Sequence, residues 1–134
     1  MSDYEFLRYE THDDGRIVRI LLDRPEARNA QNRGLLVELD AAFLRAEADD
    51  GCRVVILGGT GPLFSSGHDM GSKQAIAEYQ SHPTMSINGA TRAGAEKRML
   101  QEWHYYFQNT LRWRNLRKIT VAQVQGPVFA AGLM

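Results

Sequence analysis

The sequence predicts an α/β fold with a largely parallel sheet. Two observations carry this. Strand-like apolar runs alternate with segments of helical periodicity, which implies crossover connections between parallel strands. The central run Val54-Val55-Ile56-Leu57 is apolar throughout, as in a parallel strand covered on both faces.

The elements follow in chain order. Tyr4, Phe6 and Tyr9 stand near alternating spacing and predict an edge strand. Asp13-Asp14-Gly15 is a turn signal, and Ile17–Leu22 returns as the second strand of a hairpin. Arg24-Pro25 ends it, because proline has no N–H for the ladder. Leu35, Leu36, Leu39, Ala42, Phe43 and Ala46 recur at helical spacing up to the Asp49-Asp50-Gly51 stop. After the Val54–Leu57 strand, 58–72 is glycine-rich and reads as a loop. Met85 to Gly94 is polar and weakly periodic, an irregular or mobile linker. The wider stretch Gly71 to Ala95 has few anchors and reads either as a lid or as a surface linker. A long helix follows, with Met99, Leu100, Trp103, Phe107, Thr110 and Leu111 on one side. Lys118–Val124 is expected as a third core strand, and Gly126–Met134 as a loop turning into a helix.

The 134 residues suit one domain. Hydrophobic residues make up 43% and charged ones 24%, and 16 basic residues balance 16 acidic ones. That balance offers no electrostatic attraction to nucleic acid or an anionic membrane. No apolar run approaches the roughly 20 residues that span a bilayer, and Met1–Glu5 lacks a signal-peptide pattern. Cys52 is the only cysteine, so no internal disulfide can form. A cytoplasmic location is expected.

Several apparent sites fail on their chemistry. Gly58-Gly59-Thr60-Gly61 lacks the Gly-Lys-Ser/Thr end of a phosphate loop and the helix-opening third glycine of a dinucleotide loop. It reads as a turn. Ser66, His68 and Asp69 are nearly contiguous, whereas a hydrolase triad brings its members from separate segments. His12, His68, His82 and His104 lack zinc-ligand spacing, and no metal is expected. His104, near the apolar side of the long helix, reads as packed or at the surface. Trp103, Phe107 and Trp113 read as core and interface residues.

Three segments, in order, resemble the crotonase (enoyl-CoA hydratase/isomerase) superfamily. They are Asp23-Arg24-Pro25-Glu26-Ala27-Arg28-Asn29-Ala30, Phe64-Ser65-Ser66-Gly67-His68-Asp69-Met70, and Lys118 through Gly132, which ends Gly126-Pro127-Val128-Phe129-Ala130-Ala131-Gly132. The second resembles the family's Phe-x-x-Gly-x-Asp signature. The resemblance covers essentially the whole chain. It implies a ββα spiral, truncated before completion, with residues 1–134 as the N-terminal part of a single acyl-CoA-binding domain. It also implies stabilisation of a thioester enolate by two backbone N–H groups, those of His68 and Ala131. Preorganised donors favour the enolate over the less charged carbonyl, and one such donor can be worth about 3–4 kcal/mol. By the same resemblance, Glu26, Ala27, Arg28 and Ala30 line the nucleotide and pantetheine path. Ser66, Asp69 and Met70 flank the thioester, and Ala130 flanks the second donor. Arg28 stands to meet a CoA phosphate, or is an ordinary exposed arginine. Gly67 allows a tight bend or close approach to a ligand, and Asp69 is placed to cap the following turn. Coenzyme A enters as part of the substrate, with no separate cofactor. Homotrimers or hexamers are implied as the assembly.

The sequence departs from the family at two points. Family hydratases carry a glutamate three residues after the second donor, and here that position is Met134, which transfers no proton. The turn reads Ala130-Ala131-Gly132 in place of a glycine run. Family members are also longer, and the expected second glutamate lies beyond residue 134. Two functions therefore stand open. One is an acyl-CoA lyase or isomerase completed by a C-terminal half, with these residues inactive alone. The other is a non-catalytic remnant that keeps CoA binding or an oligomer contact. In both, an apolar edge and face after the last strand is expected to be covered by a second chain or by self-association. Light scattering should therefore return a mass above 15.1 kDa; a well-folded, monodisperse monomer would contradict the expectation.

Overall fold

The computed structural model describes residues 3–81 and 94–134. The linker expected from Met85 lies outside the described residues except for its last, Gly94, which opens a helix. Among the described residues, four strands form one sheet in the order β1-β2-β3-β4. β1 (Leu7–His12) and β2 (Ile17–Leu22) form the expected antiparallel hairpin, with Leu7 opposite Leu22 and His12 opposite Ile17. Its turn holds Asp13, Asp14 and Gly15 at positive φ, which aspartate and glycine tolerate best. Tyr4 and Phe6, expected in β1, precede it. The Glu5 and Phe6 N–H groups donate to the Glu38 carboxylate at 2.8 Å, and the Phe6 carbonyl accepts the Asp23 N–H just past β2.

α1 (Arg33–Ala48) buries Leu35, Leu36, Leu39, Ala42, Phe43 and Ala46, the six positions that its periodicity marks. Leu35, Leu39, Ala42, Phe43 and Ala46 pack with Val18, Ile20 and Leu22 of β2 and Val55 of β3 (Val54–Gly59). β3 runs parallel to β2 and extends through Gly58 and Gly59, which the sequence placed in the following loop. Its expected burial on both faces is corrected. Only Val55 and Gly58 of β3 are buried: Val55 lies on the face that the helices cover, and Gly58, on the opposite face, lies against Leu21 and Gln123. β4 (Ile119–Ala122) is parallel to β3, yet all four residues are exposed, Ile119 at 66%. The expected third core strand is therefore an edge strand.

The long helix breaks into α3 (Gly94–Gln101), a π-helical stretch Glu102–Gln108, and α4 (Asn109–Arg114). The wider π turn rotates the faces of the segments it joins. The side marked by Met99, Trp103, Phe107 and Leu111 faces outward, and Tyr105 and Asn109 are buried instead. Trp103 and Phe107 are thus not core residues. Trp113 does reach the core. Its ring stacks on Phe43 at 5.3 Å and its Nε1–H donates to Asp40, which also takes a two-point contact from Arg112.

Part of the stretch read as a lid or linker is a helix, α2 (Lys73–Ser81). Its N-terminus is capped by Ser72, whose hydroxyl accepts the Ala75 N–H. Glu78 anchors it to the start of α1. That carboxylate accepts the Arg33 N–H at 3.0 Å and the Asn32 side-chain amide at 2.6 Å. A carboxylate there satisfies donors the helix cannot pair internally and meets the positive end of its dipole. Glu78→Ala should cost about 1–2 kcal/mol in urea unfolding. It should also expose α2 to limited proteolysis before the rest of the chain.

Candidate active site

Three loop segments meet at one end of the sheet, and Asn29 ties the first two together. Arg28 and Asn29 both adopt left-handed φ, at 55° and 51°. Asn29 is fully buried and its amide is fully used. Its Oδ1 accepts the Arg24 N–H, and its Nδ2 donates to Thr60 O and Leu63 O. The Ser66 N–H donates to Arg28 O and the Ser65 hydroxyl to Asn29 O.

Arg24 and Asp69 form the ion pair beneath this junction. Their side chains are 4% and 5% exposed, and Nη1 lies 3.0 Å from Oδ2. Nη1 also donates to Ala30 O. Both Asp69 oxygens are engaged, since the Ser72 N–H and hydroxyl donate to them as well. Burial pushes the Asp69 pKa up. The bonds from Ser72 and the Arg24 guanidinium outweigh it and hold the carboxyl below its ordinary value.

Gln31 and residues 67–69 form a short parallel ladder. The Gln31 N–H donates to Gly67 O at 2.7 Å and the Asp69 N–H to Gln31 O at 3.0 Å. In a parallel ladder the residue between two bonded neighbours points its N–H the other way. That residue is His68. The third segment joins through Phe64 N–H to Pro127 O and Phe129 N–H to Ser65 O, both at 3.0 Å. Gly67 sits at φ +85° against it. A Cβ there would lie 2.9 Å from Phe129 O and 3.1 Å from Ala131 N. Ala130 turns the chain at φ 46°, a region that costs an L-residue about 1–2 kcal/mol. The Gly132 and Met134 N–H groups bond back to Phe129 O and Ala131 O. Among the described residues, neither the His68 N–H nor the Ala131 N–H has an acceptor within the chain.

The side chains of His68 and Asp69 diverge. His68 Nε2 lies 2.8 Å from Glu102 and its ring stacks on Tyr106 at 3.8 Å, while Asp69 turns to Arg24. Tyr106 donates its hydroxyl to Gln31 O. Burial, then the negative charges of Glu102 and Asp69, raise its pKa, so the phenol stays a donor.

Two cavities flank this wall. One, of about 280 Å³, is lined by Leu22, Leu39, Phe43, Leu57, Ala131 and Met134 and is largely apolar. The other, of about 240 Å³, is lined by His68, Met70, Asn32, Glu78, Gln101 and Glu102 and is more polar. Gln31 and Tyr106 face both.

Of the residues expected at the site, Ser66, His68, Asp69, Ala130 and Ala131 come together here. Ala27 and Ala30 lie half-buried in the first segment, Glu26 and Arg28 are exposed, and Met70 is 91% exposed. Met134 lines the apolar cavity. Asp69 caps the next turn as expected, but its ion pair with Arg24 had no local signal. Nor did the roles of Asn29, Gln31 and Tyr106. Asn29 offered one hint, since asparagine suits left-handed backbone. Among the described residues no cluster of His, Cys, Asp and Glu suits a metal, and no helix is long and apolar enough to cross a membrane.

Residues 12–134 match the family model for enoyl-CoA hydratase/isomerase. The Mycobacterium tuberculosis protein EchA13, an enoyl-CoA hydratase by its assigned name, is 62% identical over 98% of this chain and 43% of its own length. A 4-chlorobenzoyl coenzyme A dehalogenase of Arthrobacter is 30% identical over 91% of this chain and 39% of its own. The crystal structure of an enoyl-CoA hydratase/isomerase from Xanthobacter autotrophicus superposes with a TM-score of 0.73 at 34% identity. That match covers 96% of this chain and 42% of the other. The chain thus spans less than half the length of these relatives.

Asp69→Asn should destabilise the protein by about 3–5 kcal/mol at neutral pH, because it leaves Arg24 buried without a counter-charge. The wild-type contribution is present above the unfolded carboxyl pKa of about 3.9 and is lost as pH falls through the lower folded value. Unfolding curves should therefore differ most near neutrality and converge towards pH 2.

Proposed function

The chain belongs to the enoyl-CoA hydratase/isomerase family, and on that premise we propose that its three loop segments bind a coenzyme A thioester and stabilise the enolate. The observation that carries this is the pair of His68 and Ala131 N–H groups. They lie on adjoining segments, and among the described residues neither has an acceptor within the chain. A ligand that excludes water from these N–H groups must itself supply an acceptor, because a donor left unmet there costs stability. A thioester oxygen suits them, and the enolate form suits them better because it carries more negative charge.

Gly67 serves this arrangement. Its φ of +85° and its approach to Ala131 N let the two donors share one site. Glu26, Ala27, Arg28 and Ala30 are carried over as the path of the nucleotide and pantetheine, and Ser66, Met70 and Ala130 as flanks of the thioester. Arg28, exposed on a left-handed turn, is free to reach a phosphate. The first acid–base glutamate of the hydratases has no counterpart, because Met134 lines an apolar cavity and transfers no proton. Hydration by the paired-glutamate route is therefore not assigned. The relatives themselves bear names for different reactions, among them hydration and dehalogenation, with a CoA thioester in common. Exposed Ile119, Val121, Trp103 and Phe107 support a second chain or further segment over these faces.

A 3-oxoacyl-CoA provides the direct test, since it ionises to an enolate with its own absorbance. Binding should raise the enolate fraction at neutral pH. Gly67→Ala, which drives a Cβ into Phe129 O and the Ala130 side chain, should abolish that rise. Binding with no change in enolate fraction would sink the donor assignment.

A further inference from the structure

Forming an enolate needs a proton acceptor as well as donors for its oxygen, and Met134 cannot serve as one. One imidazole stands beside the proposed donors. His68 contributes its backbone N–H to the junction, and its ring lines the polar cavity of about 240 Å³. The ring is held on two sides. Tyr106 stacks against it with centroids 3.8 Å apart, and Glu102 lies 2.8 Å from Nε2. A carboxylate only accepts, so Nε2 carries the proton of the neutral ring and Nδ1 keeps its lone pair. Among the described residues, Nδ1 has no partner. An imidazole with its N–H on a carboxylate and its other nitrogen open is the arrangement of an oriented general base.

The other titratable groups around the cavity are committed elsewhere. Asp69 is bonded to Arg24 and to the N–H and hydroxyl of Ser72. Glu78 accepts from Asn32 and from the Arg33 N–H at the start of α1, and the Arg33 side chain, in the same lining, bonds the Glu78 carbonyl. Tyr106 donates its hydroxyl to Gln31 O, and burial holds its proton in place. Glu102 is the carboxylate that faces His68, and its charge favours the imidazolium formed when Nδ1 gains a proton. The His68 side chain is 31% exposed, so a proton taken up by the ring can exchange with water.

We propose that His68 Nδ1 is the base that removes the α-proton of the bound thioester, with Glu102 as its positioning residue. The proposal rests on the CoA-thioester reading and supplies the proton acceptor which that reading leaves unassigned. In this step the α C–H bond breaks and its proton goes to Nδ1. The C–H electron pair forms the C=C bond of the enolate. The carbonyl π pair moves to oxygen, where the His68 and Ala131 N–H groups receive it. The α-carbon of a thioester adjoins its carbonyl, so one residue addresses both, through its N–H and through its ring. Reversal returns the proton, or a solvent deuteron once the ring has exchanged, to the α-carbon.

The test follows exchange of the α-protons of phenylacetyl-CoA in deuterium oxide by NMR, beside the enolate fraction of a bound 3-oxoacyl-CoA. The 3-oxo compound ionises in solution without a protein base, so it reports on the backbone donors. The wild-type protein should exchange α-protons faster than buffer does. His68→Gln and His68→Ala keep the backbone N–H, so both should still raise the enolate fraction. Exchange should fall about 100-fold or more in each, the usual share of a positioned base. Free imidazole should restore exchange in His68→Ala. Glu102→Gln should slow exchange about tenfold or more, and Glu102→Asp should recover it. If exchange in both His68 variants matches the wild type, the proposal fails. If the wild type raises the enolate fraction yet exchanges no α-proton, the proposal fails while the thioester reading stands. If neither thioester binds, both readings fail. Should the His68 variants not fold, Glu102→Gln decides, since that side chain is 56% exposed: exchange equal to the wild type overturns the proposal.

Discussion

The buried ion pair between Arg24 and Asp69 is the constraint on which the site depends. Two ions that are each about 95% buried are stable only while both remain, since removing either leaves a charge with no solvent. Arg24 follows the end of β2 and Asp69 closes the ladder that holds His68. The pair therefore fixes the distance between the sheet end and the second loop segment. Through Ser72 it also fixes where α2 starts. Such a pair contributes little net stability over an apolar substitute, and its effect is to select one arrangement of the loops.

Around that bolt the site is made almost wholly of backbone. Asn29 spends its whole amide on main-chain groups, and the segments join by N–H to carbonyl bonds at Gln31, Ser66, Phe64 and Phe129. Glycine appears where two backbones touch, as at Gly67 against Phe129 O and at Gly132 against Ser65. Side chains at such positions are free to vary, and His68 spends its ring on Tyr106 and Glu102 while its N–H is the proposed donor. Ala130 is the exception. It holds a left-handed φ without being glycine, and the strain sits beside one of the two proposed donors.

The helical segment opposite completes the wall. Its π-helical stretch carries Tyr106 and Glu102 to the site and turns Trp103 and Phe107 outwards. A π turn costs hydrogen-bond quality and recurs where a helix must deliver side chains to a function. Here the delivery links three parts of the molecule: the Tyr106 hydroxyl bonds Gln31, its ring packs on His68, and Asp40 of α1 anchors Arg112 and Trp113 beyond it.

The sequence alone determined what depends on local pattern. The hairpin, the six buried positions of α1, the order of strands and helices, and the two motif segments around Asn29 and His68 were all legible. Each rests on periodicity, turn chemistry or a contiguous signature. Three features were not legible. The burial of β3 and β4 depends on what covers the second face of the sheet, and apolar composition is the same whether or not anything does. The buried side of the long helix depends on a π turn that shifts every later residue. The Arg24–Asp69 pair and the Glu78 cap join residues 45 or so apart in the chain, and each residue taken singly resembles an ordinary surface charge. The tertiary structure decided these, because burial and electrostatic pairing are properties of neighbours in space, and local pattern specifies only neighbours in sequence.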